Sequence, residues 1–240
     1  MHHAVVDEWS RRSSVLHRRD PRAKTAALLA FLVAVATTHG GFALLGPLYL
    51  ALLAAGLLAA RIPPAGFVAR ASLVLPFSLA FAGAAALGGD PHRAGLLIAK
   101  SWLSAAAVLL LVGSTPLPAL LRGFEGLGAP RFLLMVAQFL YRYLFVISEE
   151  AQHMRAAAAS RAGAARARRA RFRGAAGALA VLFARSYARA SDVHRAMLAR
   201  GFDGRFRLVS ELRFSPADAL FLLPAAALPL AIRFTLGSGL

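Results

Sequence analysis

Apolar residues in this chain come in blocks, not in alternation. Runs near 24–38, 42–60, 71–87, 94–113, 132–148 and 219–235 are almost uninterrupted, and a shorter one covers 175–183. A helix that crosses a bilayer needs roughly 17–25 apolar residues. Lys24 to Thr38 is therefore marginal and Phe42 to Ala60 comfortable, while Ala71 to Leu87, Ala94 to Gly113 and Ala219 to about Ile232 or Thr235 complete five spans. Turn-forming or charged breaks separate them: His39-Gly40-Gly41, then Arg61 with Pro63-Pro64 and Arg70, then Gly88-Gly89-Asp90-Pro91-His92-Arg93. In Asp20-Pro21-Arg22 and in Ser215-Pro216-Ala217-Asp218 a capping side chain precedes a proline, whose fixed φ and missing N–H suit the first helical position. Pro76, Pro224 and Pro229 predict kinks inside spans, because proline removes an intrahelical bond.

The basic positions orient these spans. Residues 1–22 carry Arg11, Arg12, Arg18, Arg19 and Arg22, which the positive-inside rule keeps in the cytoplasm. Four spans return the chain to that side. A further crossing by Phe132 to Ser148 would then deliver the seven arginines between Arg155 and Arg173 to the wrong face. Arg142 also sits in the middle of that run, and a charge at the bilayer centre costs about 2.5–3.5 kcal/mol on insertion scales. A tilted or in-plane helix is expected instead, with Arg142 reaching water or a glutamate such as Glu149 or Glu150. Thr115 to Glu125 fits a short surface helix, and two long helices are expected over about Pro130 to Ser160 and about Gly174 to Arg200. On the second, Ala180, Ala184 and Ala188 predict a close helix crossing. Leu182, Phe183, Val193 and Met197 supply bulk on the other side, and Arg189 can pair with Asp192. The expected fold is thus an all-α integral membrane protein with about five transmembrane helices and long cytoplasmic-face helices between the fourth and fifth spans. It divides into a cytoplasmic segment at 1–22, a four-helix membrane region at 23–113, cytoplasmic-face helices at 114–207 and a last span within 208–240.

Composition agrees with that class. Over 240 residues the chain is 58% hydrophobic with a formal charge of +17. The mean hydropathy is +0.60 and the pI about 11.8. Such a pI also suits nucleic acid, but the arginines sit at the ends of apolar segments with no base-stacking aromatics between them, so no nucleic-acid partner is expected. The absence of cysteine excludes disulfides, zinc–thiolate sites and thiol nucleophiles in this chain. The start resembles a signal peptide, with Ala34-Val35-Ala36 as a cleavage-like site. However, the basic region before it is unusually long and apolar sequence resumes at Phe42, so an uncleaved first span is expected.

Little in the sequence suits catalysis. No Gly-x-x-x-x-Gly-Lys-Ser/Thr loop occurs, so the chain carries no evident nucleotide site and a transport role would borrow its energy. The histidines are scattered without metal-ligand spacing. Met1-His2-His3 suits nickel or copper only with a free amino terminus, and a disordered start is expected there. Asp20, Asp90 and Glu149 are the candidates for an intramembrane enzyme, but no nucleophile–base set converges with them, and the adjacent Glu149 and Glu150 diverge on a helix. A basic scaffold on anionic lipid is the remaining alternative. Arg161 and Arg200 stand out. Each is flanked by small residues near a helix end, where a planar guanidinium is free to clasp carboxylates or carbonyls of a partner.

Three stretches carry a resemblance over nearly the whole chain: 14–24 (Ser14 through Asp20-Pro21-Arg22-Ala23-Lys24), Phe139-Leu140-Tyr141-Arg142-Tyr143 followed by Glu149-Glu150, and 195–204 with Ala199-Arg200-Gly201. The chain resembles the transmembrane coupling (T) component of energy-coupling factor (ECF) transporters, above all the cobalt-type CbiQ branch. That resemblance implies a non-catalytic subunit that couples two ABC-type ATPase subunits to a substrate-binding membrane S component for cobalt or nickel, in the inner membrane with a cytoplasmic N-terminus. A vitamin-specific or shared ECF module is the alternative. It implies no cofactor in this chain, with ATP and Mg in the partner ATPases. It makes Ser160, Arg161 and Ala162 the first ATPase-coupling motif and Ala199, Arg200 and Gly201 the second, with Arg142, Glu149, Glu150 and Met197 supporting. Ala162 stands where the family has glycine.

Overall fold

A computed structural model describes residues 8–38, 41–161, 168–204 and 214–236. Among these the secondary structure is helical throughout. In chain order the helices are α1 (Pro21–Thr37), α2 (Phe42–Ala60), α3 (Pro64–Ala71), α4 (Leu75–Leu87), α5 (Pro91–Gly113), α6 (Leu117–Gly126), α7 (Arg131–Arg161), α8 (Arg168–Ala199) and α9 (Pro216–Ala231). A 3₁₀ turn, Ser72–Val74, joins α3 to α4, and a π turn, Ile232–Leu236, closes α9. Two compact units result: Met1–Ala129 with Leu212–Leu240, and Pro130–Glu211.

In the first unit α1 is the inner helix. Phe31, Ala34 and Val35 join the core with Leu45, Tyr49, Leu103, Ala106 and Ala107 of α2 and α5. Phe31 meets Tyr49 edge-on at 5.7 Å between ring centroids, and Tyr49 Oη lies 3.1 Å from Thr38 Oγ1. The surface is inverted relative to a protein in water. Leu58 (78% exposed), Leu87 (91%), Phe77, Leu220 and Leu223 face outward, while Asp20, Lys24, Thr25, Thr38, Ser78, Ser114, Thr115 and Asp218 are buried. Lipid imposes that distribution, since polar groups there must find partners inside.

Both expected helix starts form. The Asp20 carboxylate accepts from Arg22 N at 2.7 Å, with Pro21 in the first turn. Ser215 and Asp218 make a reciprocal capping box on α9. A third cap, unforeseen, begins α5 three residues early: Asp90 accepts from Arg93 N at 2.9 Å and brings Pro91 into the helix.

The bend expected at Pro76 appears as the Ser72–Val74 turn. A proline at 76 has no N–H to give the Ser72 carbonyl and its ring crowds that group. The stretch after Arg61, expected as a loop, is the helix α3. Arg70 donates to the Gly66 carbonyl at 2.9 Å and lies 4.5 Å over the Trp9 ring. Trp9, in the segment expected to be only a polar tail, is 3% exposed. Gly66 and Gly113 leave room for it, and a Cβ at Gly66 would come within 3.1 Å of the indole.

Contacts at the ends of α1 set the direction of its neighbours. Near its start lie Ser114 and Thr115, α6 and the start of α9; near its end lie Lys100 of α5 and Arg233 after α9. Helix α9 therefore runs parallel to α1, and α5 antiparallel. Within this unit, α6 and the start of α9 both lie near the start of α1. By length and composition four described helices suit a span: Pro64–Leu87, Pro91–Gly113, Arg131–Ser160 and Pro216–Thr235. The set differs from the five expected. Helix α1, with Arg22 and Lys24 in its first turn, is sheltered by its neighbours and needs less apolar length; α2, at 19 residues, is apolar and long enough by the same reckoning. Arg131–Ser160 qualifies by composition, where Arg142 and the arginines that follow predict a tilted or in-plane helix.

Candidate coupling site

The second unit is built from α7 and α8, of 31 and 32 residues, each roughly 46–48 Å long at 1.5 Å per residue. Alanine and arginine are strong helix formers. That is why α8 begins at Arg168, inside the basic block, and not near Gly174 as expected. The helices meet where Arg185 of α8 pairs with Glu150 of α7. Around that pair is a cleft of about 790 Å³, lined among others by Phe139, Tyr143, Leu182, Val193, Met197 and Phe202. Leu182, Val193 and Met197 thus face α7, as expected of bulky residues. Ala180, Ala184 and Ala188 are exposed on the other side, so among the described residues of this unit the small-residue stripe makes no crossing. Phe183 is exposed with them.

Helix α8 ends in a Schellman motif. Gly201 N donates to the Leu198 carbonyl at 3.0 Å and Phe202 N to the Met197 carbonyl at 3.0 Å. Gly201 has φ +77°, a left-handed conformation that side chains disfavour. Phe202 folds back to line the same cleft as Met197. Arg200 is the C-cap residue and is exposed. Since backbone amides already satisfy those carbonyls, its guanidinium is not needed for capping. The negative end of the helix dipole favours a cation there. The result is a fixed helix tip that presents five donors in a planar fork.

A family model for cobalt transport protein, CbiQ, matches residues 12–210. The chain belongs to the CbiQ family. It is 29% identical over 170 residues, 67% of this chain and 69% of the relative, to "Cobalt transport protein CbiQ" of Rhodobacter capsulatus. It is also 28% identical over 124 residues, 51% of this chain and 46% of the relative, to "Uncharacterized protein MJ1089" of Methanocaldococcus jannaschii. This CbiQ family member is accordingly a multi-pass, all-α membrane component of cobalt transport.

Within the CbiQ chain the expected site residues are distributed as follows. Ala199, Arg200 and Gly201 form the helix tip just described. Ser160 is exposed near the end of α7, its hydroxyl donating to the Ala156 carbonyl at 3.1 Å. Arg161 is the last residue of α7; its side chain and Ala162 lie outside the described residues, as do His2 and His3. Arg142 and Glu149 are exposed on α7. Arg142 was expected to reach water or a neighbouring glutamate; Glu150 turns instead to Arg185 across the helix pair. Asp192 pairs with Arg195 at 2.7 Å, not with Arg189, because Arg189 is turned towards the cleft. Of the carboxylates considered for an enzyme, Asp20 and Asp90 cap helices at opposite ends of the first unit.

Sequence reasoning missed a buried polar knot at the start of α1. Lys24, 5% exposed, donates to Ser114 O at 3.0 Å, to Thr115 Oγ1 at 2.9 Å and to His17 O at 3.4 Å. Asp218, also 5% exposed, accepts from Asp20 N at 3.0 Å and from Ser215 N at 2.9 Å. The signal was a lysine and an aspartate each just inside an apolar run.

Proposed function

We propose that this CbiQ family member is the transmembrane coupling component of an ATP-driven ECF-type importer for cobalt or nickel. Two ABC-type ATPase subunits, which bind ATP and Mg, grip the arginine tips of α7 and α8. A separate S component in the inner membrane carries the ion, and the present chain, non-catalytic itself, passes the ATPase motion to it. The N-terminus lies in the cytoplasm.

The observation that carries this reading is the tip of α8: an exposed Arg200 on a glycine-terminated helix whose own carbonyls are already satisfied. It suits a docking arginine better than a lipid anchor, because a lipid contact requires no fixed geometry. The placement of α6 and the start of α9 together near the start of α1 supports it too, since that end of the bundle is where cytoplasmic motors would be met. Substituting Arg200→Glu, alone and with Arg161→Glu, is expected to abolish copurification of the ATPases and cobalt uptake while membrane insertion persists. Normal assembly of the double variant would refute the reading.

A further inference from the structure

We propose that the polar knot of Lys24, Asp218 and Thr115 is a coupling joint: positioning residues that carry displacement of residues 130–211 into the membrane bundle. The inference rests on the coupling role proposed above and adds the place where motion enters the bundle.

Within the first unit, the segment that leads out towards residue 130 and the segment that follows residue 213 are both tied to the start of α1. The outgoing one begins at Ser114 and Thr115, which Lys24 binds, and continues as α6. That helix is pressed onto the first turn of α1, where a Cβ at Gly123 would meet Pro21 Cβ at 3.0 Å. The returning connection arrives at Ser215, whose amide and that of Asp20 share the two oxygens of Asp218. One buried carboxylate thus fastens the returning strand to the start of α1, and one buried ammonium fastens the outgoing strand to it. The bonds of Asp20 N, Ser114 O and Thr115 Oγ1 are buried, where hydrogen bonds are electrostatically stronger than in water.

Beyond the joint, α1 can act as a rod. Its far end is also tied to its neighbours: Lys100 donates to the Ala36 carbonyl at 3.2 Å and Arg233 to the Thr37 carbonyl at 3.0 Å. Displacement of either connection shifts α1 along or about its axis, and with it α5 and α9, which pack on its sides. Helix α1 then delivers at the opposite membrane face what was received at the knot.

Reconstitution of the full transporter in liposomes tests this, with cobalt uptake and ATP hydrolysis measured on the same vesicles. Asp218→Asn removes one acceptor with little change in shape. It is expected to leave ATPase subunits bound and hydrolysing while ions moved per ATP fall roughly two- to thirtyfold, the range for residues along a coupling route. Loss of folded complex would lower both rates together and leave the ratio untouched, so the ratio separates coupling from stability. If Asp218→Asn yields no complex, Thr115→Val, which keeps every charge, decides by the same ratio. An unchanged ratio overturns the joint. The Arg161→Glu/Arg200→Glu double variant run in parallel distinguishes the two proposals: if it assembles and transports normally, the coupling role itself fails, whatever the knot variants do.

Discussion

Lys24 shows how much one side chain can hold. Its three hydrogen bonds replace hydration it has lost, and the carboxylates of Asp20 and Asp218 attract it. Lys24→Met takes the donor from three acceptors and unbalances the carboxylates, so a loss of about 3–5 kcal/mol is expected, read as a lower unfolding midpoint in detergent. Gly201 poses a backbone problem instead. At φ +77°, Gly201→Ala is expected to cost about 1–2 kcal/mol and Gly201→Asn less, and hydrogen exchange of the amides of Gly201 and Phe202 reads the difference. The Ala-Arg-Gly triplet was legible as letters; that its glycine supplies a left-handed terminus and frees Arg200 from capping was not, because those are properties of the turn. Lys24 was legible only as part of a good helix start.

Among the elements, local chemistry foretold the starts of α1 and α9 and the break before Pro76, since a cap or a proline acts within one turn. It did not foretell partners. The contact of α6 with α1 depends on Gly123 standing close to Pro21, so Gly123→Ala is expected to cost about 1–3 kcal/mol by overpacking, seen as a lower midpoint in the same unfolding assay. The link between α7 and α8 is weaker than it looks. Arg185 and Glu150 have side chains 63% and 31% exposed; a double-mutant cycle is expected to return no more than about 1 kcal/mol. The alanine stripe at 180, 184 and 188 lies on the exposed face of α8 and not towards α7, because periodicity defines a face and says nothing of what meets it.

For the whole molecule, the absence of cysteine allows topology to be read directly by single-cysteine labelling in sealed vesicles. Cysteines at Arg18 and Arg200 are expected to label from one side and a cysteine at Gly89 from the other. Labelling of the first two from opposite sides would mean an odd number of crossings by residues 130–211. The sequence by itself determined the all-α membrane class and the places of most apolar helices, because hydrophobic length is a sum over residues and needs no knowledge of contacts. Only the tertiary structure decided that Lys24 ties Ser114 and Thr115, and Asp218 ties Ser215, to the start of α1, that Trp9 is buried and that α7 meets α8 through Leu182, Val193 and Met197. Each of those depends on residues far apart in the chain meeting within a few ångströms, which no local pattern encodes.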